Sequence, residues 1–516
     1  MKNSFLYILL GLVLVYSVVF LFNQNYFITV DGPSHLYNSN ILSKIFANDQ
    51  FISMYYSHVT EVVPNYFSTY LLLLLNKIFH PLLSEKILIL LYFILFNVSI
   101  GLVLTKSSKT PSFYLLFLTP LAFNYLLGFG FYNFIFGVCF LLLTIYFYLE
   151  YIEKNRVYLF VILTISMYLT FVSHGLLFLL ELAILFFILF INYLEDWLLF
   201  RKISKSNLLL LIKLSVIAFP GSYFLSAFID SRKSINEIYL STYEIIEYIS
   251  ELRPLIIYTH LERMYSKEYF YLFFALVVVS TQVWFLKSKF TPVAKVLSDF
   301  RWFVLAIICL ILMFFLPDST NGGGFVIVRI QLLFIIFCGI WMSTIEYNKW
   351  SYIVCLILCF IPFYKSIEEK HNIQSGLNLI LSDFRNAENL IKPNTVILPI
   401  RTSDNWLDTH FSNYLGLTKS VLILENYEAS TGYFPIIFKN PNNQCVRLPF
   451  HAHDEINKFP IKICKENGSI PIDYIVFYGK LNLNSNQKEF LDSTEMYFNR
   501  IYNSDYVQLF QLKDKH

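Results

Sequence analysis

Long runs of apolar residues, separated by short polar stretches, dominate the first 365 residues of the chain. A helix that crosses a bilayer needs roughly 20 mostly apolar residues, because each residue advances about 1.5 Å across a hydrocarbon core of about 30 Å. The pattern predicts eleven such helices, at residues 5–22, 87–105, 112–128, 131–149, 157–173, 176–194, 208–228, 269–286, 302–316, 326–345 and 350–364. One further apolar run, 66–79, is shorter and follows Pro64. It is either another span or a helix lying on the membrane surface.

The distribution of basic residues in the loops decides between these two interpretations of 66–79, because Lys and Arg accumulate on the cytoplasmic side. If 66–79 lies on the surface and Lys2 is inside, nearly every basic short loop falls on the inner side, including those at 106–109, 154–156, 201–205, 287–301 and Lys349. A crossing at 66–79 would move those loops outside. We therefore predict an interfacial helix at 66–79 and a cytoplasmic N-terminus. The first apolar run lacks a small-residue cleavage site and is predicted to stay as a signal anchor.

This orientation places three large segments outside the cytoplasm, namely 23–86, 229–268 and everything after about 366. Beyond residue 366 the apolar runs shorten to strand length and Asn, Asp, Lys and Pro become frequent. The segment 375–391 has the pattern of an amphipathic helix, and four segments rich in Val, Ile, Leu and Tyr predict β-strands, at 395–400, 420–425, 472–478 and 506–512. The sequence thus predicts a multi-span membrane domain over 1–365, with 23–86 as its first outer loop, and an extracytoplasmic α/β domain over 366–516.

Two of the seven cysteines, Cys445 and Cys464, lie in this predicted outer domain. An extracytoplasmic location permits a disulfide between them. Two unpaired thiols are the alternative, and the sequence leaves both open.

The composition agrees with a polytopic α-helical membrane protein. Hydrophobic residues make up 56% of the chain, charged residues only 15%, and the mean hydropathy is +0.56. Soluble domains are nearer a quarter charged. A net charge of +3 with no basic run disfavours a nucleic-acid partner. The abundance of Asn, Lys, Ile, Phe and Tyr is typical of an AT-rich genome, for which a bacterial inner membrane is the simplest location.

The most informative polar stretch follows the first span and reads Val-Asp-Gly-Pro-Ser-His-Leu-Tyr over 30–37. Asp31 stands in a Gly-Pro turn a few residues past the predicted membrane edge, and His35 is four positions on. One interpretation is a helix cap, since Asp and Pro both favour helix starts. The other is a carboxylate held at the membrane surface as a general base, oriented by the turn and by the nearby imidazole.

Other polar residues on the predicted outer face are secondary candidates for binding a substrate. Arg329 lies near the outer edge of a span, where an Arg either snorkels to the headgroups or holds an anion. His174 lies at an outer turn, and His260 and Arg263 cluster before the next span. Each is also compatible with a structural role, and solvated amphipathic helices are favoured for the loop 229–268. His35, His174 and His260 lack the spacing of metal ligands, so no metal site is predicted.

The order of these features resembles the GT-C superfamily of integral-membrane glycosyltransferases, which includes protein O-mannosyltransferases, aminoarabinose transferases and oligosaccharyltransferases. The shared features are a signal-anchor helix, an acidic residue early in the first outer loop, an interfacial Pro-x-Tyr apolar run, many spans and a closing outer domain. The likeness at the level of sequence is confined to about 25–80. It includes the stretch Glu-Val-Val-Pro-Asn-Tyr over 61–66, which makes Glu61 a second acidic candidate.

The resemblance implies a transferase that moves a sugar from a polyprenyl-phosphate donor to an acceptor outside the cytoplasm, which is a lipid, a glycan or a protein. Asp31 takes the place of the family's acidic residue, assisted by His35, and the family's pattern of two neighbouring acids is absent here. Arg329 would bind the donor phosphate, with His174, Glu61, Arg263 and His260 as further substrate-binding candidates. Some relatives use Mg²⁺ or Mn²⁺ and others do not, so a divalent metal is left open as a cofactor.

Two other functional classes remain as alternatives. A transporter or flippase for a lipid or glycan would carry ionisable groups or broken helices near the bilayer midplane, and most predicted spans lack a central charge. A non-catalytic membrane protein of envelope glycan assembly would present the tail domain, although eleven spans exceed what an anchor requires.

Overall fold

The structure is a computed structural model that describes residues 3–513, except 109–110, 202–203, 231–236, 289–292, 320–322, 348, 404, 440–449, 452–470, 480–490 and 493. It is mostly helical. In the described ranges the α-helices are α1 (Asn3–Asn23), α2 (Gly32–Phe46), α3 (Gln50–Tyr55), α4 (Phe67–Leu75), α5 (Pro81–Ser107), α6 (Pro111–Leu118), α7 (Tyr125–Phe129), α8 (Tyr132–Lys154), α9 (Val157–Ser173), α10 (Gly175–Phe200), α11 (Lys205–Asp230), α12 (Thr242–Glu251), α13 (His260–Ser288), α14 (Val293–Phe315), α15 (Val326–Met342), α16 (Lys349–Asn389) and α17 (Tyr427–Thr431). The described strands are β1 (Tyr56–His58), β2 (Thr395–Arg401), β3 (Val421–Ile423), β4 (Ile436–Phe438), β5 (Phe450–His451), β6 (Tyr474–Tyr478), β7 (Phe498–Asn503) and β8 (Val507–Leu512). Cys445 and Cys464 lie outside the described residues.

Many of these helices have the length and composition of membrane spans. Within the described ranges, seven helices are long and apolar enough to cross a bilayer, and four apolar helical stretches of 10–17 residues are shorter. Each of the eleven predicted segments coincides with one of these elements. The prediction of a polytopic α-helical membrane protein is therefore confirmed, whereas the number of crossings stays a prediction.

The predicted span 112–128 is not one continuous helix. It divides into α6, a 3₁₀ turn over Thr119–Ala122, and α7. Pro120 explains the break, because proline removes a backbone donor and clashes with the preceding turn. The Asn124 side chain then accepts a hydrogen bond from the Leu127 N–H at 2.9 Å and caps the start of α7.

The apolar run 66–79 forms the short helix α4 of nine residues. At 1.5 Å per residue such a helix is about 14 Å long, which is too short to cross a bilayer core. Its length agrees with the interfacial placement, which itself remains a prediction.

The chain divides into two compact units. The helical unit comprises Met1–Phe20, Val62–Pro64 and Leu90–His371, and the sheet unit comprises Leu21–Glu61, Asn65–Ile89 and Asn372–His516. The tail begins near the predicted boundary at 366. However, most of the first outer loop, which the sequence had placed with the spans, groups with the tail.

Backbone groups of the tail explain why the first outer loop belongs to the sheet unit. The Tyr37 hydroxyl on α2 donates to the Val421 carbonyl at 2.8 Å and accepts from the Ile423 N–H at 3.1 Å. The Asn40 amide on the same helix donates to the Gly416 carbonyl at 2.8 Å. Helix α2 is thus fixed to strand β3 and to the segment that precedes it.

Glycines allow close packing in the helical unit. A Cβ on Gly137 of α8 would lie 2.7 Å from the Leu177 side chain, and one on Gly339 of α15 would lie 2.6 Å from Leu118. Small residues at such contacts let helices approach closely in a membrane protein. A buried cluster of Met167, Phe171, Phe178 and Leu225 forms part of this unit's core.

The sheet of the second unit is mixed, with the order β3-β2-β6-β8-β7 and with β5 also paired to β2. Strands β2, β3, β5 and β6 are parallel, and β8 runs antiparallel to β6 and β7. All four predicted strands are present. The predictions did not include β7, whose sequence FNRIYN is half polar and in which Asn499 and Arg500 are exposed. They also did not include β5 or the short pair β1–β4.

The predicted helix 375–391 is present as the end of α16, a single helix of 41 residues that continues from the last apolar run. The polar residues between the two parts include two Lys, two Glu and one Gln, which are good helix formers. Leu377, Leu381 and Phe384 of this segment are buried. The Phe384 ring lies 5.3 Å from the Tyr478 ring of β6, centroid to centroid, which seats the helix on the sheet.

Candidate active site

Asp31 precedes helix α2 but does not use its side chain to cap it. The helix start is supported instead by Pro33 in the first turn and by the Gly32 N–H, which donates to the Thr29 hydroxyl at 3.1 Å. The Asp31 backbone carbonyl accepts from the His35 N–H at 3.0 Å. The carboxylate is therefore available for other contacts, although it is only 5% exposed.

Two side chains from the tail contact the Asp31 carboxylate. His410 Nε2 lies 3.6 Å from Asp31 Oδ1, which is an ion-pair distance rather than a direct hydrogen bond. The Tyr427 hydroxyl donates to Glu428 Oε1 at 3.5 Å and also interacts electrostatically with the Asp31 carboxylate. The rings of His410 and Tyr427 are stacked, with centroids 4.6 Å apart and an interplanar angle of 27°.

Parallel strands position these tail residues. His410 follows β2, and Glu425, Tyr427 and Glu428 follow β3, so all four leave the carboxyl ends of neighbouring parallel strands. That edge is where α/β sheets generally bind ligands. A buried ion pair between Arg401 Nε, at the end of β2, and Asp408 Oδ1 at 2.8 Å holds the segment that leads to His410.

Glu425 is a fully buried carboxylate with three hydrogen-bond donors around it. They are His410 Nδ1 at 2.7 Å, the Ser412 hydroxyl at 2.6 Å and the Asn413 amide at 2.9 Å. Because an ionised carboxylate only accepts, the Nδ1 atom of His410 carries the proton. The contact thereby fixes the orientation of the imidazole.

Glu428 is the second acidic neighbour from the tail. Its Oε1 atom lies 2.9 Å from His35 Nδ1, and its Oε2 atom accepts from the Asn38 amide. The Asn38 amide oxygen in turn accepts from Asn426 at 2.7 Å. Both His35 and Asn38 lie on α2, so the tail supplies the acidic partner that the motif around Asp31 lacks.

The pKa values of the two central groups, Asp31 and His410, are both raised. Burial raises the pKa of Asp31 from 3.8 to about 6, although the nearby His410 and His35 lower it in part. Burial by itself would lower the pKa of His410, but Glu425, Asp31 and Glu428 together raise it above 6.5. The carboxylates thus stabilise the charged form of His410, whereas burial destabilises the charged form of Asp31. Shifted pKa values of this kind are frequent in catalytic sites.

Sequence reasoning identified Asp31 and His35 and missed His410, Glu425, Tyr427 and Glu428. The distance along the chain is the reason, because nothing local in the sequence joins residue 31 to residues near 425. A usable signal was present in the tail. The stretch Glu-Asn-Tyr-Glu over 425–428 directly follows a strongly apolar strand, and carboxylates at the end of a parallel strand are typical of sites.

A second arrangement of candidate residues lies in the helical unit. Arg329, in the first turn of α15, donates from Nη1 to His174 Nε2 at 3.0 Å. Its guanidinium carbon lies 4.7 Å from the ring centroid of Phe131 and 5.3 Å from that of Phe134. An arginine can only donate, so Nε2 of His174 accepts and its ring is neutral. Arg329 is 8% exposed, so it does not simply extend into solvent.

The other predicted site residues do not join either group. Glu61 and His260 are exposed. Arg263 forms an ion pair from Nε to Glu251 Oε2 at 2.9 Å, and Lys267 binds the same carboxylate. This contact is the expected one for a charged helix surface. Among the described residues, no group of three or more His, Cys, Asp or Glu side chains is arranged to hold a metal ion.

Comparison with known proteins gives one informative result. No family model and no curated protein matches the chain. Among solved structures it is similar to ArnT from Cupriavidus metallidurans in the apo state, with 11% identity over 98% of this chain and 97% of that one and a TM-score of 0.44. ArnT is an aminoarabinose transferase, one of the kinds of enzyme that the sequence resemblance includes. At this identity and TM-score, no residue role, donor or acceptor transfers to this chain.

Proposed function

We propose that the protein is a membrane glycosyltransferase that moves a sugar from a polyprenyl-phosphate donor to an acceptor hydroxyl outside the cytoplasm. The observation that carries this proposal is the environment of Asp31. It is a carboxylate outside the predicted spans, buried against two histidines and two further carboxylates, with a pKa raised to about 6. A group with that pKa is mostly ionised at neutral pH and is still basic enough to take a proton.

The reaction assigned to Asp31 is a single displacement at the anomeric carbon. The acceptor O–H bond breaks and its proton goes to the Asp31 carboxylate, while the acceptor oxygen forms the new bond to the sugar. The bond from the sugar to the phosphate oxygen breaks, and its electron pair stays on the phosphate. Attack opposite the leaving group inverts the anomeric centre.

Arg329 is assigned to the donor phosphate. A planar guanidinium matches phosphate oxygens with two parallel N–H groups, and charge grows on the phosphate as it leaves. His174 fixes the guanidinium by accepting from Nη1, and the ring faces of Phe131 and Phe134 flank the cation. The predicted orientation puts the outer end of α15 at the extracytoplasmic surface of an inner membrane.

The experiment is a transfer assay with the purified protein in detergent, a panel of radiolabelled polyprenyl-phosphate sugars, and an envelope extract as the source of acceptors. The wild type should move label from the donor into a new product. Asp31→Asn should lower that rate by roughly 100-fold or more, the range expected for a lost general base. Asp49→Asn is the matched control, because Asp49 lies in the same loop but caps α3 by accepting from the Ile52 N–H at 3.0 Å.

Detergent also separates the transferase from the transporter or flippase. A micelle has no two sides, so only a chemical transfer can generate labelled product in it. Transfer that is equal in Asp31→Asn and wild type would remove Asp31 from the mechanism. A wild type that is inactive with every donor in detergent, yet moves one of them across a liposome bilayer, would favour the transporter.

A further inference from the structure

Three side chains, Glu425, His410 and Asp31, lie next to one another in this order at the centre of the Asp31 cluster. Glu425 Oε1 lies 2.7 Å from His410 Nδ1, and His410 Nε2 lies 3.6 Å from Asp31 Oδ1. Glu425 is held in turn by Ser412 and Asn413, and the imidazole lies against the Tyr427 ring. The contact with Glu425 fixes the Nδ1 side of the His410 ring, and the Nε2 side is then directed at Asp31.

The charges around His410 favour its protonated form. The titratable groups that face it are Glu425, Asp31, Glu428 and Tyr427, and His35 is paired with Glu428. Three of these are carboxylates in a buried setting, where an unbalanced negative charge is costly. Burial lowers the pKa of His410, and the carboxylates more than offset that effect.

We propose that His410 is a positioning residue for Asp31: Glu425 holds its Nδ1–H, and its protonated Nε2–H faces the Asp31 carboxylate and keeps that buried base ionised. This role rests on the proposed transfer reaction. His410 gives up no proton during the displacement. The acceptor's proton moves to Asp31 and passes to water after the product leaves, while the imidazolium remains between the two carboxylates.

The first test measures the protonation of Asp31 without any turnover. Infrared difference spectra between acidic and neutral samples show a carboxylic-acid C=O band for each buried acid that titrates, and the band absent from Asp31→Asn belongs to Asp31. In His410→Gln the midpoint pH of that band should rise by about 1 to 3 pH units, the effect of removing an opposite charge at this distance. His58→Gln is the matched control, because His58 belongs to the same unit but contacts the Tyr70 hydroxyl at 2.8 Å.

The second test uses the pH dependence of transfer. The acidic limb of the rate should move upward in His410→Gln by the same amount as the infrared midpoint, whereas a structural residue would lower the rate equally at every pH. If His410→Gln fails to fold, Glu425→Gln takes its place. That change removes the anion that favours His410 protonation, so the Asp31 midpoint should again rise, by less.

The outcomes separate this inference from the proposed function. An Asp31 midpoint that does not move in His410→Gln or Glu425→Gln overturns the role of His410, even if transfer is active. A midpoint that moves while the acidic limb stays in place overturns its role in the reaction. If the midpoint moves but the wild type transfers no sugar from any donor, the electrostatic coupling stands and the transferase function is lost.

Discussion

Replacing Asp31 by Asn should make the protein more stable at pH 8, even though it abolishes the proposed transfer. The prediction follows from the direction of the pKa shift. Asp31 has a pKa of about 6 in the folded protein against an ordinary value of 3.8. When folding raises the pKa of an acid, the protonated acid stabilises the folded protein at pH values below the pKa that the acid has in the unfolded chain. That stabilisation is lost as the pH rises through the pKa of the acid in the folded protein.

The size of the effect follows from the same two values. A difference of about 2 pKa units corresponds to ~3 kcal/mol of folding free energy between pH values below 3.8 and well above 6. About half of this folding free energy is already lost when the pH reaches 5. About 1.4 kcal/mol more is lost between pH 5 and pH 8. The full figure is an upper limit, because Asn also changes the partners of Tyr427 and His410.

The assay is thermal unfolding of the purified protein in detergent at pH 5 and pH 8, for wild type, Asp31→Asn and Asp49→Asn. The advantage of Asp31→Asn over wild type should be larger at pH 8 than at pH 5. The control, Asp49→Asn, should differ from the wild type in stability by the same amount at pH 5 and at pH 8. Burial raises the pKa of Asp49, but bonds from Ser420 and from the Ile52 N–H lower it by more. Its ionised form therefore stabilises the fold at all pH values above 3.8, and that contribution is lost only at lower pH, outside the range of the assay.

A single result would refute the reasoning. The result would be an advantage of Asp31→Asn over the wild type that is no larger at pH 8 than at pH 5. Folding would then not raise the pKa of Asp31, and its ionised carboxylate would not destabilise the folded protein. The central observation behind the proposed function would then be lost as well.

Three further predictions test other parts of the structure. Arg329→Lys should reduce transfer about tenfold or more without a loss of folded protein, because an ammonium cannot form the two parallel N–H contacts of a guanidinium; kinetics over a range of donor concentrations measure it, and unchanged kinetics would contradict a phosphate role. Asp408→Ala should cost about 3 to 5 kcal/mol in thermal unfolding, because it leaves the buried Arg401 without its ionic partner at 2.8 Å, and a change under about 1 kcal/mol would count against a buried pair. The exposed Glu61 tests the membrane orientation: in a Cys445→Ser/Cys464→Ser background, Glu61→Cys should react with a membrane-impermeant maleimide added to spheroplasts, and labelling only after lysis would place the loop in the cytoplasm.

The membrane part of the fold was predictable because its rule is simple. A segment must be apolar over the thickness of the bilayer, and that requirement is visible in every stretch of the chain. The break over 119–124 was less visible, because Pro120 and Asn124 are only two residues in an otherwise apolar run. Whether a proline bends or interrupts a helix depends on what re-satisfies the freed backbone groups, and the sequence does not specify that.

The candidate site was predictable only in part. Asp31 was noticeable because charge is rare in this chain and because it follows a span. Its partners could not be found in the same way, since Glu425 and Glu428 are nearly 400 residues away and look like ordinary polar residues of an outer domain. Only the packing of α2 against β3 brings them together. That packing depends on hydrogen bonds such as those of Tyr37, which carry no sequence pattern.

The sheet unit has two buried groups of charged side chains, and their net charges differ. The difference indicates which group serves a function. Arg401 and Asp408 form an ion pair with equal and opposite charge, and the pair holds a loop. The cluster around Asp31 has three carboxylates and two histidines, so it retains one excess negative charge even when both imidazoles are protonated. Stability does not explain such an arrangement, because well-packed apolar residues generally replace buried charges at no cost or with a gain. General-base catalysis at neutral pH requires a base with a raised pKa, and a buried carboxylate next to an oriented imidazolium provides one. Substitutions that neutralise Asp31 should therefore stabilise the fold and abolish the activity together.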